Sequence, residues 1–290
     1  MKWWLLACLV FFLTGSVSRA AEPELFNMGF YLPGVRDVPR ADVLVTLQLW
    51  ADEIGKIYGY QAKPLLYENM TDLHRDMVSG KLNIAVAPGM EMAETFRMDE
   101  LAEGFIGRHN HADEGLALVA ADPALRKFAD LRGKRVVRLS NDRLSEIFLE
   151  VECRNQMGGP CRDQFSVSEE KRDAQLVYKV FFGHADAALV KLSTLQAVEE
   201  MNPQIAKRLH VLLDWKVKSI SFGMMNPRNP PGFRGRLLSA ALLASKQVRV
   251  KQILEMFKTD YMERTMPADL EPYWRLHDEY QSLTNRKSTR

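Results

Sequence analysis

The sequence predicts an α/β protein whose chain is divided between two lobes, each a mixed sheet flanked by helices, joined by a two-strand hinge. Three features predict it. Residues 131–190 run strand, polar turn, helix, then helix, glycine, strand, the layout of an open α/β sheet. The first third alternates short apolar runs with helical periodicity, as parallel strand pairing requires. Two long extended runs, 114–120 and 211–225, bracket the central stretch. Read as crossovers, they make the middle of the chain a second lobe inserted into the first, with a cleft between. A single continuous sheet is the alternative. The expected division is 1–20 as a leader, 21–117 as the first part of lobe 1, 118–212 as lobe 2, and 213–290 as the return to lobe 1 with C-terminal helices.

The elements follow in order. Residues 24–30 form a first strand, and 31–39 a loop rich in proline. Asp42 can cap a helix in which Val43, Leu44, Leu47, Ile54 and Ile57 fall on one side, stopped by Gly59. A strand around 63–67 follows. A helix then begins at Asn69 and stops at Gly80. Residues 82–87 are a short buried strand ending in Pro88-Gly89-Met90, which enters a helix at Glu91. Residues 105–111 read as an extended connection, and Asp122-Pro123 opens a short helix.

In the central stretch 135–139 is a strand, 143–152 a helix with Leu144, Ile147, Phe148 and Val151 on one face, and 169–182 a second helix. Gly183 supplies a left-handed stop before the strand that ends at Val190. Beyond it, 192–201 is helical and 211–225 is one extended run. Residues 233–245, 248–261 and 271–283 are helical, and a basic tail starts at Asn285.

With 290 residues, 47% of them hydrophobic, the chain is long enough for two lobes and apolar enough to pack them. Lys2, the apolar run 3–13 and the small, polar stretch 14–20 read as a secretory signal peptide cleaved after Ala20. A short N-terminal anchor is the alternative. Leu5-Leu6-Ala7-Cys8 looks like a lipoprotein cleavage box, but the apolar run continues past it. Losing Lys2 and Arg19 lowers the basic count from 39 to 37, against 37 acidic residues. A balance near zero argues against a nucleic-acid partner, which needs a basic excess.

Cys153 and Cys161 flank a turn-rich loop and, in an oxidising compartment, are expected to form a disulfide. A thiolate nucleophile or metal pair is the sharper alternative, without a nearby histidine or a zinc spacing to support it.

In open α/β sheets ligands sit beyond the carboxyl ends of the strands. That rule picks out Tyr31 after the first strand, Gly89 and Met90 after the third, Ser140, Asn141 and Arg143 after Leu139, and Lys191 and Ser193 after Val190. Each also has a plainer reading as loop packing, an ordinary turn or a solvated helix start. His109 and His111 form a His-x-His more typical of a loop surface. Trp215 and Lys216 lie on the return crossover. Asp186 reads as a structural turn residue. Neither a cofactor nor a metal is expected, because there is no glycine-rich nucleotide loop and no zinc helix.

Several segments together resemble a known family. They are Phe30-Tyr31-Leu32-Pro33, the run Ile84 to Gly89, Phe128-Ala129-Asp130-Leu131-Arg132-Gly133-Lys134-Arg135-Val136, and the run Gly183 to Val190. In this order they resemble the phosphate/phosphonate-type substrate-binding proteins of ABC transporters, which have the type 2 periplasmic-binding fold. The resemblance implies a periplasmic, non-enzymatic protein, expected as a monomer, whose lobes close on a small polar or anionic ligand and dock on a membrane permease. Oxyanions in such proteins are held by hydroxyls and by backbone N–H groups at helix N-termini. The turn Ser140-Asn141-Asp142-Arg143 departs from the family's usual Ser/Thr/Gly-rich turn, and Asp142 repels an anion unless Arg143 offsets it. A ligand-sensing or interaction module for a membrane sensor, and an exported enzyme, are the other readings of the same scaffold.

Overall fold

The computed structural model describes residues 24–35, 39–108, 115–218, 220–256 and 259–285. The leader, the residues His109 and His111, and the last five residues of the basic tail lie outside them. No described helix is long and apolar enough to cross a membrane.

The chain opens with β1 (Glu24–Tyr31) and α1 (Arg40–Tyr58). The helix starts after Pro39 rather than at an Asp42 cap, and Asp42 sits in its first turn, where the helix dipole favours a carboxylate. Gly59 closes it in the left-handed region, at φ 72°. Next come β2 (Tyr60–Tyr67) and α2 (Met70–Val78), whose N-cap Asn69 accepts the Asp72 N–H at 2.8 Å. Then β3 (Ile84–Pro88) runs without a break into α3 (Gly89–Thr95), so this helix begins before Glu91. The expected connection at 105–111 is largely a strand, β4 (Ala102–Arg108).

The chain continues through β5 (Leu116–Ala120), β6 (Arg135–Leu139), α4 (Arg143–Met157), β7 (Ser166–Glu170), α5 (Asp173–Phe181), β8 (Ala187–Lys191), α6 (Leu192–Met201) and α7 (Pro203–Arg208). The short helix expected at Asp122-Pro123 is a turn, followed by a single 3-10 turn at Phe128–Leu131. The helix expected over 169–182 begins only at Asp173, because residues 166–170 pair in parallel with β6 as an exposed edge strand. Ser-Val-Ser-Glu-Glu carries no buried face, so the apolar pattern that marks a strand is missing from it.

The run 211–225 is two strands, not one: β9 (His210–Trp215) and β10 (Ser221–Met225), in different sheets. After α8 (Pro231–Ala244), the helix expected over 248–261 stops as α9 (Val248–Met256), and β11 (Tyr261–Thr265) takes up the last of it. The described chain ends in α10 (Glu271–Asn285).

Two sheets result. The first has the order β11-β4-β10-β3-β1-β2, with β1 parallel to β2 and β3, and β10 antiparallel to β3 and β4. The second has the order β7-β6-β8-β5-β9, with β6 parallel to β7 and β8, and β5 antiparallel to β8 and β9. In both, a parallel trio is flanked by an antiparallel strand drawn from the far side of a crossover. The chain passes from first sheet to second between β4 and β5, and returns between β9 and β10.

The core is shared unevenly. One cluster of buried side chains joins Met90 and Phe96 of the first half to Leu144 and Phe148 of the second, through Leu270, Tyr273 and Leu276 at the C-terminus. A second cluster, including Phe26, Trp50, Phe105 and Phe233, fills the other face of the first sheet under α1 and α8. A third lies within the second half around Val137, Val177 and Val190.

Candidate functional site

Each parallel trio places its middle strand's neighbours on opposite sides, so the chain diverges at the carboxyl ends of β1 and β3 and of β6 and β8. Such switch points leave a crevice. A cavity of about 350 Å³ lies there, within the range of pockets that bury most of a small ligand.

Its polar wall comes from segments that follow strands. Lys191, Ser193 and Thr194 line it from the β8–α6 junction, Asp142 and Leu144 from the start of α4, and Asp173 from the start of α5. Across from them lie Pro88, Gly89 and Met90 at the β3–α3 junction, and Lys218 and Ser221 at the return crossover. The helices α4, α5 and α6 thus turn their N-terminal ends, the positive ends of their dipoles, toward one space.

The β8–α6 junction has the most donors to offer. Lys191 is the N-cap of α6, and among the described residues no side chain pairs with its ammonium. The Leu192 N–H is bonded to the Gly115 carbonyl at 2.9 Å, but Ser193 and Thr194 follow in the same first turn, where helical N–H groups have no partner within the helix. At the β3–α3 junction the Gly89 N–H is already bonded to the Ile220 carbonyl at 3.0 Å. Gly89 is there for closeness: a Cβ would stand 2.6 Å from Tyr273 Cζ. The Tyr273 hydroxyl in turn donates to the Lys218 carbonyl, so α10 ties the return crossover to the mouth of the cavity.

Of the residues singled out in the sequence, Gly89, Met90, Lys191 and Ser193 line the cavity, while Tyr31, Ser140, Asn141 and Arg143 are not among its lining residues. Tyr31 packs at the margin of the shared core. Burial raises its pKa, and the negative fields of Glu91, Glu68 and Glu94 add to this. Asn141 is exposed and takes φ 52°, the only non-glycine positive φ among the described residues, a conformation asparagine tolerates well. Asp142 is buried beside it and accepts the Ser145 hydroxyl.

Arg143 is committed to carboxylates. Its Nε and Nη2 donate to Glu94 of α3 at 2.8–3.0 Å, its Nη1 lies 3.1 Å from Glu146, and its guanidinium sits 5.4 Å from the centre of the Tyr280 ring. The hydrogen bonds to Glu94 raise its pKa, keeping it charged. The pair bridges the two halves of the chain. Arg143→Ala is expected to lower unfolding free energy by about 1–2 kcal/mol, the pair being partly exposed. Glu94→Ala should add little on top of it in a double-mutant cycle followed by urea melts. Fully additive losses would mean the pair contributes nothing.

Other candidates resolve as structural. Trp215 stacks on Phe148 with ring centres 4.8 Å apart, and Lys216 pairs with Asp214 at 2.8 Å. Asp186 holds the start of β6: it accepts the Arg135 N–H at 2.7 Å and pairs with the Arg135 guanidinium, which holds its carboxyl below the usual range. His184 lies on the surface beside Phe182. Cys153 and Cys161 form the disulfide. Among the described residues no three His, Cys, Asp or Glu side chains are grouped to hold a metal ion.

The sequence reading missed Thr194, Asp173 and Lys218. Thr194 follows Ser193 on the same helix turn and was within reach of the strand-end rule. Asp173 was hidden by the helix drawn through β7, and Lys218 by the unbroken run 211–225.

Residues 38–271 match the family model described as ABC transporter, phosphonate, periplasmic substrate-binding protein. Among solved structures, a binding protein component of an ABC phosphonate transporter from Pseudomonas aeruginosa is 12% identical, over 90% of this chain and 88% of that one, with a TM-score of 0.61. PhnD1 from Prochlorococcus marinus, solved in complex with methylphosphonate, is 17% identical over 90% of this chain and 99% of its own, with a TM-score of 0.59. The periplasmic aliphatic sulphonate binding protein SsuA from Escherichia coli is 13% identical over 92% and 94%, at 0.55. At these identities the likeness is one of fold. No curated protein matches the chain.

Proposed function

Since the chain belongs to the periplasmic phosphonate substrate-binding proteins of ABC transporters, we propose that it captures a small oxyanion of the phosphonate type in the cavity between its sheets and presents it to a membrane permease. The family is one of solute-binding proteins rather than enzymes. The observation that carries the ligand reading is the β8–α6 junction: an ammonium without a partner among the described residues, two hydroxyls and the open N-terminal turn of a ten-residue helix, all on one cavity wall. Each is a donor, and an oxyanion is an acceptor on every face. The carboxylates of Asp142 and Asp173 line the same cavity, so attraction comes from directed hydrogen bonds rather than from a net positive field. Export through a signal peptide cut after Ala20, and action as a monomer, complete the proposal.

Calorimetry with methylphosphonate, inorganic phosphate and methanesulfonate tests it. At least one should bind, and Lys191→Ala should weaken that binding about 10- to 100-fold, the usual worth of a hydrogen bond to a charged group. Unchanged affinity in a folded Lys191→Ala protein would remove the junction from the site. Absence of binding by all three anions at millimolar concentration would remove the oxyanion.

A further inference from the structure

The end of the second sheet that faces away from the cavity carries a charge of its own. Ala120, the last residue of β5, lies in register with Ala187 and His210, the first residues of β8 and β9, and Arg135 opens β6 opposite Ser166 of β7. The segments entering and leaving these strands, residues 121–135, 157–166, 181–186 and 201–209, therefore gather at one pole. They hold eight basic residues against four acidic ones, whereas residues 21–290 hold 37 of each. The four carboxylates are occupied locally. Asp122 and Asp130 accept backbone N–H groups of their own turns, Asp163 lies 3.7 Å from Arg162, and Asp186 pairs with Arg135. Among the described residues no carboxylate lies within ion-pair distance of the side chains of Arg126, Lys127, Lys134, Lys207 or Arg208. The same pole shows apolar surface. Phe182, just past the end of α5, is 63% exposed, and Met201, at the end of α6, is 79% exposed. Phe182 stacks on Tyr178 and meets Phe181 edge-on, and the Arg208 guanidinium lies 5.3 Å over the Phe181 ring.

Helix dipoles account for Lys207 and Arg208, in the last turn of α7. They do not account for Arg126, Lys127 and Lys134, which lie between β5 and β6 outside any α-helix, nor for a phenylalanine left in water. Cations spread over the ends of several strands, with aromatic rings among them, complement a broad negative surface that has an apolar layer just beneath it. A bilayer with anionic headgroups is such a surface. The family works beside a membrane transporter, and no described helix crosses a membrane, so any hold these residues have on the bilayer is peripheral. We propose that this pole binds anionic phospholipid, with Arg126, Lys127, Lys134, Lys207 and Arg208 over the headgroup phosphates and Phe182 set into the interface. The cavity, at the other end of the sheet, stays open to solvent. The proposal does not depend on which ligand the cavity takes.

The test is co-sedimentation of the exported protein, without its leader, with two kinds of vesicle: phosphatidylcholine alone, and equal parts of phosphatidylcholine and phosphatidylglycerol. The protein should bind the mixed vesicles and not the neutral ones. It should release them when salt rises from about 0.1 to about 1 M, which shortens the screening length from roughly 10 to 3 Å. Lys127→Ala and Lys207→Ala should each weaken binding about fivefold, and Phe182→Ser roughly tenfold. Lys246→Ala, an exposed lysine following α8 beside the first sheet, is the control and should change nothing. All four positions are exposed, and thermal melts confirm that each variant is folded. Equal binding to both kinds of vesicle overturns the proposal. So does binding to the mixed vesicles that Lys127→Ala, Lys207→Ala and Phe182→Ser all leave intact, or that Lys246→Ala weakens as much as they do. Failure of the folded wild-type protein to bind at low salt overturns it too, and leaves the face to an acidic protein partner.

Discussion

Gly104→Ala is expected to destabilise the protein by about 3 kcal/mol. Gly104 lies on β4 opposite Met224 of β10, where the pairing of the two strands shifts register. A Cβ at this position would stand 1.9 Å from the Gly223 carbonyl oxygen and 3.0 Å from the Met224 Cα. Both are backbone atoms, so no side chain can turn aside to relieve the contact, and one strand must move. These are the strands that lead out to the second sheet and back, so the movement falls where the two halves join. Urea melts measure it as a lowered midpoint. Gly235→Ala is the control: it lies in α8, nothing stands within 4 Å of its would-be Cβ, and helix propensity predicts a gain of about 0.5–1 kcal/mol. A Gly104→Ala protein as stable as the wild type would mean that β4 and β10 do not approach this closely.

Loss of the Cys153–Cys161 bridge is expected to remove about 2.5 kcal/mol. The two cysteines are eight residues apart in sequence, and closing so short a loop restricts the unfolded chain by roughly that amount. Both sulfurs are buried between the end of α4 and the turn that follows. The same end of α4 holds the C-terminal helix: Arg154 Nη1 donates to the Leu283 carbonyl at 3.1 Å, and Asn155 Nδ2 to Glu279 at 2.7 Å. Freeing the bridge therefore loosens a support of α10 as well as a loop. The measurement is a pair of thermal melts with and without reductant. Reductant should lower the midpoint of the wild type toward that of a Cys153→Ala, Cys161→Ala double variant, and leave the variant unmoved. A wild type indifferent to reductant would show that the bridge adds nothing.

Much of the architecture was legible because its signals are local. Gly59 and Gly183 stop helices in the left-handed region, at φ 72° and 76°, as glycines do where a Cβ would strain. The strand-end rule reached four residues of the cavity wall, because a ligand crevice in a doubly wound sheet follows from strand order. What was not legible depends on partners distant in sequence. β7 and β11 are edge strands with few buried positions, so nothing in their own composition marks them as strands. The break between β9 and β10 is set by which sheet each joins, and an extended run looks the same in either. Arg143 looked like an anion ligand because Glu94, 49 residues away, leaves no trace beside it in the sequence. The apolar wall of the cavity was hidden for a related reason: Leu47, Trp50 and Phe105 have the pattern of ordinary core residues, and only the packed fold shows that they also border the cavity.

The insertion of β10 between β3 and β4 bears on the order in which the molecule can take shape. The second sheet uses only residues 116–215, so all its strands are in hand before the return crossover is synthesised. The first sheet has no such fragment. Until Met225 exists, β3 has an uncovered edge and β4 has no neighbour. A polypeptide that emerges from its N-terminus therefore has the second sheet complete first, while β1, β2 and β3 can pair with one another but the open edge of β3, and β4, wait for the last third.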